Sequence, residues 1–143
     1  SRAISCIFKQ HQLFGLLGNL LMDATANANI LPVLDLEDFR YRSNSADFTE
    51  FGALALDLLP EWRGQLAEIV HRQNRSELAD LAHCICGALA TLGAKRASQI
   101  FFQLEGLARS VEPIAWPQAL ENARLSLDYT EDTICNTLLS LRG

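Results

Sequence analysis

Apolar residues recur every three or four positions over most of this chain, and the pattern predicts four long helices. Phe48, Phe51, Ala55, Leu58, Trp62 and Ile69 set a stripe over residues 47–71. Asp47-x-x-Glu50 fits a capping box at its start, and Pro60 should bend or loosen it. After a polar turn at 73–75, Ser76 is placed to cap the second helix, and Gly93 to end it in a left-handed cap. Leu78, Leu81, Ala82, Ile85, Leu89 and Leu92 form its stripe. The third helix runs over 94–110 with Ala97, Ile100, Phe101, Leu104, Leu107, Ala108 and Val111 inward, and Phe102 on its opposite side. Phe102 is therefore a candidate either to cover the N-terminal segment or to join a docking surface. Pro113 and Pro117 bracket a loop. The fourth helix spans 117–141, with Leu120, Ala123, Leu127, Thr130, Ile134, Leu138 and Leu141 along one side.

Four amphipathic helices with short connections predict an all-α protein, an antiparallel up-down four-helix bundle. Ahead of it, residues 4–21 read as an additional N-terminal helical segment, 23–29 as a linker, 31–35 as an extended entry, 36–41 as a short helix and 42–46 as a turn. The expected division is 1–30 for the N-terminal helix and linker and 31–143 for the bundle.

Within the second helix, His83 falls about 140° from the centre of the apolar stripe, towards solvent. Ala79, Asp80, Gly87, Ala90 and Ala94 share that outer face, so an imidazole stands in a clearing of mostly very small residues. Such an exposed nucleophile is open to close approach by another protein. Cys86 lies at the rim of the stripe and Cys84 further out; His83-Cys84-x-Cys86 makes a poor metal set, because a helix points Cys84 away from the other two and no fourth ligand is evident. Glu105, Asp128, Glu131 and Asp132 read as a solvated acidic surface.

Composition narrows the choice of function. The chain has 143 residues, 49% of them hydrophobic, which is enough for one domain with a real core. A net charge of −5 and the lack of a basic cluster interleaved with aromatics argue against nucleic-acid binding. The longest apolar run, 13–22, is too short for a membrane span and lacks a signal-peptide cleavage pattern. Four cysteines without a secreted-module spacing suggest reduced thiols in the cytoplasm. No Gly-rich phosphate loop is present, so the chain is not a self-sufficient kinase.

The run Ala82-His83-Cys84-Ile85-Cys86-Gly87-Ala88-Leu89-Ala90-Thr91-Leu92-Gly93-Ala94, with Leu104-Glu105 downstream and Pro32-Val33-Leu34-Asp35 upstream, resembles the signature of histidine-containing phosphotransfer (HPt) domains. The likeness covers residues 31–110. It implies a phosphorelay intermediate whose histidine, here His83, takes a phosphoryl group from an aspartate of one receiver domain and passes it to a response regulator. It also implies that Ala79, Asp80, Cys86, Gly87, Ala90 and Ala94 form the access and docking surface. Any Mg²⁺ would belong to the receiver, leaving this chain with no metal or cofactor of its own. Such modules commonly end bacterial hybrid sensor kinases, and residues 5–21 resemble the end of a receiver. The family's basic residue three positions after the histidine is Cys86 here. The missing charge must come from a partner, from Lys95 or Arg96, or from another basic group. Two other readings stay open: a degenerate module that binds receivers without chemistry, favoured by Cys86, and a structural dimerisation domain using the N-terminal helix or Phe102.

Overall fold

The computed structural model describes residues 28–42 and 47–142. The expected helix over 4–21 lies outside them. Five helices follow in order: α1 (Leu36–Arg42), α2 (Phe48–Arg72), α3 (Arg75–Leu92), α4 (Lys95–Arg109) and α5 (Trp116–Arg142). The last four form the bundle: α2 packs on α3 and α5, and α4 on α3 and α5, while α1 touches α2 and α3. Cross-helix contacts run in opposite register, as Cys86–Ser98 and His83–Glu105 show for α3 and α4, so neighbours are antiparallel.

The helix ends are set by local chemistry. Asp47 caps α2 by accepting from Thr49 N at 2.9 Å, one position short of the Glu50 amide that a capping box would use. Asn74, not Ser76, caps α3, accepting from Glu77 N at 3.1 Å, and Gln73 ends α2 in the left-handed region (φ 54°). The turn between α2 and α3 is thus one residue shorter than expected. Gly93 ends α3 at φ 88°, as its position predicts, and its carbonyl accepts from Asp35 N at 2.8 Å. The Arg75 guanidinium donates to the Leu107, Ala108 and Ser110 carbonyls, satisfying the C-terminus of α4.

The core stripe of α2 is rotated from the expected one: Leu59 and Leu66 are buried, while Phe51 and Leu58 are 36% and 39% exposed. Phe51 still packs edge-on to Phe39 with ring centroids 5.5 Å apart. Pro60 lies inside α2 without ending it. On α4, Val111 and Phe102 exchange roles: Val111 is exposed just past the helix, and Phe102 is buried in the core. Leu141, expected inside, is exposed on α5. Every helix of the bundle is flanked by two others, so each buries an arc wider than a single stripe.

Candidate functional site

Packing of α3 against α4 brings His83 beside Glu105. His83 is half-buried, with 22% of its side chain exposed, and its Nδ1 lies 3.1 Å from Glu105 Oε1. Glu105 is buried, not on a solvated surface as its charge suggested. Its other oxygen, Oε2, accepts from Arg109 Nε at 3.0 Å. Arg109 in turn reaches Asp80, with Nη2 3.5 Å from Oδ1. The result is a chain of groups, His83–Glu105–Arg109–Asp80, that crosses the α3–α4 seam twice.

The geometry fixes the chemistry of the imidazole. A carboxylate offers only acceptors, so Nδ1 carries the proton and donates it to Glu105. In that tautomer Nε2 holds the lone pair, which leaves it the nitrogen able to act as a nucleophile. Glu105 also locks the ring orientation and faces any positive charge that develops on it.

The small-residue clearing divides into an exposed and a buried part. Asp80 and Gly87 are exposed and Ala90 is half-buried, within two turns of His83 on α3. Ala79, Cys86 and Ala94 are buried. The first two lie on the arc of α3 turned into the bundle, and Ala94 is enclosed at the turn between α3 and α4. They therefore do not offer an outer docking surface. Cys86 Sγ is 3.5 Å from Ser98 Oγ, whose hydroxyl donates to the Cys86 carbonyl at 3.0 Å. Cys84 is exposed, so the helix turns the two thiols to different environments. Gly87 sits in open space: a Cβ there would meet nothing within 4 Å.

Lys95 and Arg96 are engaged elsewhere. Lys95 Nζ is 3.2 Å from Asp35 Oδ2, and Arg96 Nε donates to the Leu31 carbonyl at 2.9 Å with its guanidinium over the Tyr129 ring. Lys95 is ten residues before Glu105, about 15 Å of helix. The basic group that the structure brings to His83 is Arg109. Spacing held the signal for both missed residues. Glu105 falls between Phe101 and Ala108 at helical intervals, and Arg109 follows it by one turn, the favourable order for an acidic–basic pair. A groove of about 550 Å³ opens between α2 and α3 next to this site, lined by Gln65, Ile69, Arg72, Asp80 and Leu81 among others.

Among the described residues no helix is long and apolar enough to cross a membrane. A family model described as "Hpt domain" matches residues 51–134, more than half of the chain. No curated protein and no solved structure matches it.

Proposed function

Since the chain belongs to the Hpt domain family, which serves histidine phosphotransfer in two-component signalling, we propose that it is a phosphorelay intermediate carrying the phosphoryl group on His83 Nε2. The donor is an aspartyl phosphate on one receiver domain, and the acceptor an aspartate of a response regulator. The observation that carries this reading is the His83 Nδ1–Glu105 contact at 3.1 Å, on a carboxylate already paired with Arg109. In the forward step the Nε2 lone pair attacks phosphorus in line, the bond from phosphorus to the aspartyl oxygen breaks, and the receiver regains its carboxylate. The ring keeps its Nδ1 proton and becomes a phosphorylated imidazolium, whose positive charge faces Glu105. Return transfer to a second receiver reverses these changes. Receiver partners and reduced thiols go with a cytoplasmic site of action.

Incubation with a receiver phosphorylated on its aspartate tests the reading. Wild type should acquire acid-labile label, and His83→Gln should not. Label that persists in His83→Gln, or no label on wild type, refutes it. The buried thiol of Cys86, where the family has a basic residue, favours a second reading: receiver binding without transfer. A complex that forms without label would select that one.

A further inference from the structure

A phosphoryl group on His83 brings up to two negative charges to a helix face that already carries Asp80. Cys86, turned into the α3–α4 seam, offers that charge no cation. Lys95 and Arg96 are held at the far end of the helix pair. Arg72, across the groove on α2, is paired with Glu77 at 2.7 Å and Glu68 at 3.5 Å. Arg109 differs from all of these. It shares one buried carboxylate with the imidazole: Nε is on Glu105 Oε2 and His83 Nδ1 is on Oε1. Its side chain is 43% exposed, and its other contact is a 3.5 Å approach to Asp80, which is 74% exposed. An exposed pair of that length holds weakly. A guanidinium has five N–H donors, and these contacts leave most of them unused.

We propose that Arg109 is the phosphoryl-binding cation of this site. Anchored on Glu105 through Nε, it turns its outer edge from Asp80 to the phosphoryl oxygens on His83. The proposal rests on the reading of His83 as the carrier. Asp80 and His83 are three apart on one face of α3, about 5–6 Å between side chains, so a group already at Asp80 is within one side-chain spacing of the phosphoryl position. The new pair is charge-assisted and matches the planar fork of the guanidinium. Asp80 is then the competitor: it holds the guanidinium before phosphorylation and repels the phosphoryl group afterwards. The other titratable groups around the site are Glu77 and Cys84 on α3, Glu105 on α4, and Arg72 and Glu68 on α2.

The test uses the full chain phosphorylated with phosphoramidate, a small donor that needs no receiver. Its P–N bond breaks, ammonia leaves, and phosphorus bonds to Nε2. A ³¹P NMR titration then follows the second ionisation of the phosphoryl group. Arg109→Gln should raise its apparent pKa, because the cation favours the dianion, and Arg109→Lys should restore most of the difference. Asp80→Asn should move it the opposite way, and because Arg109 stays intact it keeps the test decisive if Arg109→Gln folds poorly. With a phosphorylated receiver, Arg109→Gln should shift the exchange equilibrium about fivefold towards the receiver, less so in high salt. Coincident titrations of wild type, Arg109→Gln and Asp80→Asn overturn the role of Arg109 while leaving His83 as carrier. No label on the wild-type histidine overturns both.

Discussion

Gly87 lies mid-helix in α3, exposed, one turn after His83, with open space where a side chain would stand. Glycine at an exposed helix interior costs about 1 kcal/mol relative to alanine, because the unfolded chain has more freedom to lose. Among the described residues nothing repays that cost: no atom lies within 4 Å of a Cβ placed there, and φ is not positive. On the proposed relay, the room serves a receiver that approaches from outside. Gly87→Ala should therefore raise stability by about 1 kcal/mol, or about 4 °C in Tm for a domain of this size. Gly87→Gln should give roughly half that gain, from the lower helix propensity of glutamine.

Transfer should move the other way. On the proposed relay a receiver brings its aspartyl phosphate in line with Nε2, and a misplacement of about 1 Å can cost about 10²-fold in rate. Gly87→Gln should slow transfer from a phosphorylated receiver by about that factor, and Gly87→Ala by less. Labelling by phosphoramidate should stay near the wild-type rate in both, since that donor needs no docking surface. Thermal unfolding and a timed label transfer measure the two effects on the same samples. A glutamine variant that accepts from the receiver at the wild-type rate would refute the argument that receivers approach across this face. An alanine variant without a gain in Tm would refute the claim that the position is strain-free and open.

Gly52 and Gly93 should respond with the opposite sign. A Cβ at Gly52 would lie 3.2 Å from both Leu138 Cδ2 and Phe48 Cε1, so Gly52→Ala should lose about 1 kcal/mol once the propensity gain is offset. Gly93→Ala should lose about 2–3 kcal/mol, since φ is 88° and the Cβ would meet the Asp35 carbonyl; denaturant midpoints that fail to order Gly93→Ala below Gly52→Ala below wild type would contradict this. Asp35 makes a pH-dependent clip between α1 and the start of α4. The Asp38 amide, then Lys95, hold its carboxyl below the ordinary aspartate value. Its contribution is thus present above roughly pH 4 and lost as pH falls through the lowered value. The Tm gap between wild type and Asp35→Asn should close over that acid range; a gap constant from pH 7 down to pH 2.5 would refute it.

The bundle was legible because each long helix declares itself by spacing, and Gly93 by its place after the last apolar residue of α3. The caps were less so. Asn74 and Ser76 are equally good capping residues, and only the Glu77 amide distinguishes them. Burial was misjudged wherever one stripe was assumed for a helix with two neighbours. Ala79, Cys86, Phe102 and Glu105 all sit on the second arc of α3 or α4. Glu105 was the costliest of these, because its charge outweighed its spacing. A buried carboxylate is expected only with partners, and His83 and Arg109 come from positions that a single-helix reading does not join.

Those misjudged residues have a shared consequence. Cys86 meets Ser98 across the seam between α3 and α4, and α3 and α4 also bury the small Ala79, Ala82, Ala97 and Ala108. Helix separation follows the size of the side chains between the axes. Small residues let these two helices pack more extensively than any other pair in the bundle. Close approach is what places a glutamate on α4 within 3.1 Å of an imidazole on α3. A lysine at position 86 would have to leave this seam to reach the histidine, and its stem would occupy space now closed by the Ser98 hydroxyl. Cys86 thus belongs with the alanines as a packing residue. The same seam buries the Glu105 carboxylate, which meets His83 across it and pairs along α4 with the partly exposed Arg109.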